Sequence, residues 1–227
     1  MVVNRRANGE PIAYIRGHVE WYDLDLVVTP RVLVPRPETE LLLETAVEVG
    51  KSIAAGIVAD VGTGSGAIAI GIARALPFAR VIGIDIDEGA LAVARLNVHR
   101  LGLDSRVTTL QGYLLQPLDA KPDLVVANLP YLSDDMMGAL DRSVAHEPEL
   151  ALRGGRTGLE VYAELFLQLR SRGWDRVPVV LEIDSRQSAQ LRDLAQFHRP
   201  EAKLTITPDL AGLDRVAVLW PACGELA

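Results

Sequence analysis

The sequence predicts an α/β fold built on a doubly wound, mostly parallel sheet, and three observations carry that reading. A glycine-rich turn separates an apolar run from a close-packed helical pattern in IVADVGTGSGAIAIGIA, residues 57–73. Short β-type runs then alternate with amphipathic helical stretches as far as His198. Such alternation implies parallel strands with helices on both faces. The chain closes on KLTITPDLAGLDRVAVLW (203–220), two runs joined by a loop too short for a parallel crossover, so they pair antiparallel.

Taken in order, residues 1–13 are polar and expected to be loosely held, with Gly9-Glu10-Pro11 as a turn. Tyr14 to Val34 reads as a pair of short strands, VEWY and LDLVV, bending near Asp23 and closed by Pro30. PRPETE (35–40) precedes LLLETAVEV at helical spacing; Pro37 suits a first helical turn, and Glu38 and Glu40 suit its positive end. After the glycine turn, ARVIGID is a second strand ending at Asp85, and EGALAVARLNVHRLG is a helix stopped by Gly102. RVTTLQ and PDLVVAN follow as strands, GLEVYAELFLQLRSR as an amphipathic helix, VPVVLEID as a fifth strand and SRQSAQLRDLAQFH as its helix. The division expected is an N-terminal extension with a β-hairpin over 1–34 and one main domain over 35–227.

Composition narrows the class. At 227 residues the chain can enclose one substantial core, and 49% hydrophobic against 23% charged residues is ordinary for a globular protein. A net charge of −7 argues against a protein that holds nucleic acid mainly through its phosphates. The single cysteine, Cys223, cannot form an internal disulfide, which suits a reducing compartment. The start, MVVNRRANGE, has no apolar core of a signal peptide, and no apolar run reaches spanning length, so a cytoplasmic protein without a membrane anchor is expected. His18, His99, His146 and His198 show no metal-ligand spacing, so no metal is expected.

The glycine turn is the first candidate site. Gly62, Gly64 and Gly66 admit positive φ and let a ligand approach the chain without Cβ atoms in the way, ahead of a helix N-terminus with free N–H groups. Gly62, Gly64 and Ala67 also fit the loose pattern of dinucleotide enzymes. Asp60 favours another ligand, because a carboxylate there would face a pyrophosphate but could pair with the ammonium of S-adenosylmethionine (SAM). Asp85 ends the next strand about twenty residues on, where such folds place an acid on ribose hydroxyls; this serves NAD and SAM alike. Asp87 is better read as a helix cap. The fourth strand ends Asn128-Leu129-Pro130-Tyr131, a polar corner at the edge where open α/β sheets bind ligands.

PRPETE (35–40), ADVGTGSGAIAI (59–70), IGIDID (82–87), VANLPY (126–131), HEPELAL (146–152) and DLAGLDRV (209–216) together resemble the HemK-like protein-glutamine methyltransferases. The likeness runs in order from about Gly9 to Trp220. It implies a Rossmann-like SAM-dependent methyltransferase fold: a mostly parallel seven-stranded sheet with an antiparallel C-terminal strand, plus the N-terminal hairpin. The cofactor implied is SAM, and the partner is a peptide chain release factor, methylated on the glutamine of its Gly-Gly-Gln loop. The resemblance assigns Asp60, Gly62, Thr63, Gly64, Gly66, Asp85, Ile86, Tyr113, Arg36, Glu38, Thr39 and Asn128 to the cofactor, and Asn128, Leu129, Pro130 and Tyr131 to catalysis. Three departures stand out. Leu129 replaces the family's usual first proline, Tyr113 stands where an acid often meets the adenine amine, and the family's N-terminal helical bundle is absent from the sequence.

Physical chemistry gives this constellation a mechanism. An amide nitrogen is a poor nucleophile because its lone pair is delocalised. Accepting its two N–H hydrogens at Asn128 Oδ1 and the Leu129 carbonyl would favour a pyramidal nitrogen, a gain made mainly in the transition state. Leu129 precedes Pro130 and is confined to extended conformations, so its carbonyl should aim as a proline's would. The same corner could hold an adenine amine, and a SAM-binding module without transfer is a further alternative. The acidic balance and PRPETE count against the first, and Asn128 with Tyr131 against the second.

Overall fold

In the computed structural model, which describes residues 2–221, two short helices open the chain: α1 (Val2–Ala7) and α2 (Ile12–Arg16). The sequence foresees neither helix, and α1 has no buried residue. Pro11 before α2 and a left-handed Gly17 after it, with φ of 80°, are the usual boundary residues of a helix. Tyr14, expected in a strand, lies on α2 instead and donates its hydroxyl to the Val32 carbonyl at 2.6 Å. The hairpin follows, β1 (His18–Trp21) against β2 (Leu24–Val27), turning through Tyr22 and Asp23, both at positive φ. Asn97 fastens it to the body by accepting from Val27 N and donating to the carbonyls of Val27 and Ser65.

The main sheet has seven strands. After α3 (Thr39–Ser52) come β3 (Ile57–Val61), α4 (Ala67–Ala75), β4 (Arg80–Asp85), α5 (Glu88–Arg100) and β5 (Val107–Gln111). The chain then crosses to the other side of β3 with β6 (Leu124–Ala127). A small two-stranded sheet not foreseen from the sequence follows, β7 (Leu132–Ser133) with β8 (Arg153–Gly155), and the short helix α6 (Asp134–Met137) stands between them in sequence. Next come α7 (Glu160–Ser171), β9 (Val179–Glu182), α8 (Ser188–His198), β10 (Lys203–Pro208) and β11 (Asp214–Trp220). The strand order is β10-β11-β9-β6-β3-β4-β5, with β11 antiparallel to both neighbours and the rest parallel. Cys223, the single cysteine of the sequence, lies outside the described residues.

Alternation along the strands divides the core into two layers. Val58, Leu124, Val126, Val180 and Val216 face one layer with α3 and α4, while Ala59, Val125, Ala127, Val179 and Leu181 face the layer with α7 and α8. Trp21, Leu24 and Leu26 of the hairpin join the first layer. The sheet reverses its winding between β3 and β6. That places a crevice beyond their carboxyl ends, where open α/β sheets receive ligands. No helix among the described residues is long and apolar enough to cross a membrane.

Candidate active site

The crevice is walled on one side by the loop after β3. Gly62, Gly64 and Gly66 have φ of 75°, 53° and 82°, the left-handed region that only glycine enters freely. Gly62 and Thr63 both donate their N–H groups to the Ile84 carbonyl, and Gly64 N donates to Asp85 Oδ2 at 2.9 Å. A Cβ on Gly62 would meet Leu129 Cδ2 at 3.3 Å, so glycine there brings the two halves of the crevice together. Gly83 of β4 has a related role, since a Cβ would lie 2.9 Å from Thr63 Oγ1.

The structure places Asp60 beneath the loop and not on the crevice wall. It is wholly buried, accepting from Thr63 Oγ1 at 2.6 Å and Ala69 N at 3.1 Å, and Oδ1 has no partner among the described residues. Burial pushes its carboxyl up to about 7, with the Thr63 and Ala69 donors opposing. An exposed ammonium cannot reach it directly; its carboxylate instead shapes the turn. Gly66 is likewise buried, capping α4.

Asp85 does line the crevice, with Ile86, Gly112 and Tyr113 beside it. Its two oxygens accept from Gly64 N and from Asp87 N at 3.0 Å, leaving each a further lone pair. Burial raises its carboxyl and the two backbone donors hold it down. Asp87 caps α5 by accepting from Gly89 N, the role read from the sequence.

The opposite wall is the corner after β6. Asn128, Leu129 and Pro130 line it with Thr39 and Arg36. Asn128 Nδ2 donates to Thr39 Oγ1 at 3.3 Å. The Tyr162 hydroxyl reaches the carbonyls of both Leu129 (3.3 Å) and Glu182 (2.7 Å), and Gln187 Nε2 donates to the Tyr131 carbonyl at 2.9 Å. The ring of Tyr131 packs towards the α7–α8 layer and does not line the crevice; burial pushes its phenol up to about 12. Glu38 is exposed just ahead of α3 and does not line the crevice. Arg36 is engaged, donating from Nη2 at 2.5 Å to Glu147, a buried carboxylate that also accepts from Val34 N. PRPETE and HEPELAL are thus two ends of one clasp. The DLAGLDRV segment forms a turn in which Asp209 accepts from Ala211 N, Leu213 N and Arg215.

Sequence reasoning gives no role to Tyr162, Glu182 or Gln187, and reaches Glu147 only as part of HEPELAL. Each is far along the chain from the group it supports, and only Glu182, an acid inside an apolar run, carries a local signal.

The doubly wound sheet with its crevice at the winding reversal is a fold that solved methyltransferase structures share. The hMettl16 catalytic domain in complex with the MAT2A 3′UTR hairpin 6 aligns with a TM-score of 0.75 at 14% identity, covering 97% of this chain and 85% of that one. The ribosomal protein L11 methylase from Lactobacillus delbrueckii subsp. bulgaricus aligns at 0.60 and 22%, covering 86% and 84%. The family described as "Ribosomal protein L11 methyltransferase (PrmA)" matches residues 37–146. More specific are the release factor glutamine methyltransferases of Moorella thermoacetica, 44% identical over 94% of this chain and 76% of the relative, and of Gloeobacter violaceus, 39% identical over 92% and 74%. The chain belongs to the release factor glutamine methyltransferase family.

Proposed function

We propose that this protein is a SAM-dependent methyltransferase, cytoplasmic, that acts on the side-chain amide nitrogen of the glutamine in a release factor's Gly-Gly-Gln loop. One observation carries the reading most: the Asn128–Pro130 corner faces the Gly62–Gly64 loop and Asp85 across a single crevice. The residues fit the cofactor. Gly62 leaves room where a Cβ would crowd Leu129, and Asp85 offers free lone pairs at the crevice wall for a ribose diol. Gly62, Thr63, Gly64, Asp85, Ile86 and Tyr113 would hold SAM, with Asp60 and Gly66 shaping the loop from below. SAM would supply a methyl group already activated by its sulfonium.

The chain's own residues do the remaining work on the substrate. Asn128 Oδ1 and the Leu129 carbonyl accept the two amide hydrogens, drawing the nitrogen towards a pyramidal form with its lone pair aimed into the crevice. Pro130 keeps Leu129 extended, and the Tyr162 hydroxyl uses only one of the two lone pairs on the Leu129 carbonyl. Positioning of this kind can supply much of the acceleration without a strong base. Asp134, paired with Arg153, and Asp135 are exposed close to the corner, a setting that tolerates a peptide loop. In incubations of labelled SAM with purified release factor and, separately, with bulk RNA, the label should enter the release factor. Asn128→Ala should abolish the transfer while calorimetry finds SAM affinity almost unchanged. Label in RNA alone defeats this reading.

A further inference from the structure

We propose that Glu182 is a positioning residue that acts through the Thr39 hydroxyl to fix the orientation of the Asn128 side-chain amide, so that Oδ1 and not Nδ2 faces the substrate. This rests on the reading of Asn128 as the acceptor for the substrate amide.

The need for such a device is geometric. A side-chain amide turned by 180° keeps its shape but exchanges an acceptor for a donor. A donor at this place would repel the NH₂ group it must bind. Whatever selects the orientation has to touch the Asn128 amide from a side that the substrate leaves free.

Register supplies the candidate. β6 and β9 are adjacent parallel strands with Ala127 opposite Leu181, so the next residues, Asn128 and Glu182, emerge side by side at the strand tips. The register sets Glu182 beside Asn128, and the Thr39 hydroxyl and the Asn128 amide both favour its ionised carboxylate. Glu182 and Thr39 are almost completely buried, so bulk water does not replace either contact. Glu182 Oε2 has no hydrogen-bonding partner among the described residues, and the Glu182 backbone is held by Tyr162.

Hydrogen-bond polarity then runs one way. An ionised carboxylate only accepts, so the single hydroxyl hydrogen of Thr39 turns towards it. Thr39 Oγ1 is left with only acceptor capacity for its other neighbour, and Asn128 must present Nδ2 to it, as the 3.3 Å contact records. Oδ1 is thereby directed outward. A protonated Glu182 would reverse the relay: it donates to Thr39, the hydroxyl hydrogen becomes free to meet Oδ1, and the amide can turn over.

Burial pushes the Glu182 carboxyl up to about 7, and Glu38 ahead of α3 adds to the rise. The Thr39 hydroxyl, Arg215 of β11 and the Asn128 amide oppose it. The phenols of Tyr131 and Tyr162 also feel its charge and stay protonated themselves. Ionised Glu182 is the working form, so transfer should rise with pH through about 7.

The test uses the full chain, purified release factor and labelled SAM, with kcat followed across pH. Glu182→Gln, nearly isosteric but able to donate, should lower kcat roughly tenfold and remove the rising limb, with SAM affinity by calorimetry unchanged. Thr39→Val should lower kcat similarly, and Thr39→Ser, which keeps the hydroxyl, should restore it; this pair reads the relay even if the Glu182 variant fails to fold. A folded Glu182→Gln with unaltered kcat and pH limb overturns the proposal, as does a Thr39→Ser variant no better than Thr39→Val. If the unaltered protein transfers no methyl to release factor, the functional reading falls with it. Transfer by the unaltered protein together with insensitivity of the variants removes only the role of Glu182.

Discussion

The loop after β3 and the corner after β6 face each other across one crevice, but they are supported over different spans of chain. The glycine loop is held by partners 3, 9, 21 and 22 residues away: Thr63 and Ala69 on Asp60, Gly64 on Asp85, Gly62 on Ile84. The Asn128–Tyr131 corner depends on Tyr162 at 33, Gln187 at 56 and Thr39 at 89 residues, and the Arg36–Glu147 clasp beside it spans 111. A local support follows from the backbone path that the glycines permit. A distant one exists only after the sheet has brought β6 and β9 together. Changes to distant supports should therefore alter the corner without disturbing the loop.

The strongest way to test that separation is at the loop. Asp85→Ala removes a carboxylate that accepts from Gly64 and Asp87 and faces the crevice. SAM affinity by calorimetry should fall tenfold or more, in line with about 1.5–3 kcal/mol for hydrogen bonds to a charged group. Tighter binding of NAD than of SAM would remove the basis for the cofactor assignment.

Tyr162→Phe tests the other side. It strips a hydroxyl from the carbonyls of Leu129 and Glu182 inside the core, and unfolding in urea should report a loss of about 1–2 kcal/mol. Methyl transfer should slow severalfold with SAM affinity intact. An equal loss of SAM binding would mean that the two walls are one mechanical unit.

A pH series sharpens the comparison from the loop side. Asp60 has its folded-state carboxyl raised to about 7, well above the unfolded value. Its contribution to stability is complete below about 4 and is lost as pH rises through about 7. Asp184 and Asp209, whose carboxyls are lowered by hydrogen bonds from Arg186 and Leu213, act in the opposite sense but only in more acid solution. Unfolding free energy should therefore decline between pH 5 and 7.5, and Asp60→Asn should flatten part of that slope.

The smallest effect is expected at Tyr113, half-buried against the α7–α8 layer at the crevice edge. If it stacks on the adenine, Tyr113→Asp weakens SAM binding by about 1 kcal/mol and Tyr113→Phe changes it little. Improved binding by the aspartate variant would show that the ring is an obstacle.

The same contrast explains what was legible in the sequence. The glycine turn, Asp85, the Asp87 cap and the antiparallel closing strands depend on residue types at short spacing, and they could be read directly. Asp60 was visible but its direction was not, because whether a strand-end carboxylate points into a cleft or under a turn depends on Thr63, and on Gly83 leaving space for it. Glu182 sat inside an apolar strand and Glu147 inside a polar loop, with nothing local to connect them to Asn128 or Arg36. The opening helices escaped because α1 has no buried residue to produce a periodic pattern, and β7 and β8 because strands of two and three residues carry none.

The placement of β11 between β9 and β10 also bears on synthesis. While the chain emerges from the ribosome, β9 pairs with β6 on one side, and its other edge must wait for residues 214–220. β10 is made first but takes its place outside β11, so it cannot cover that edge in the interval. A nascent chain thus carries the apolar Val179–Leu181 edge open until nearly its last strand is available. Unpaired strand edges of this kind invite pairing with other chains, and the short length of β9 limits how much edge there is to capture.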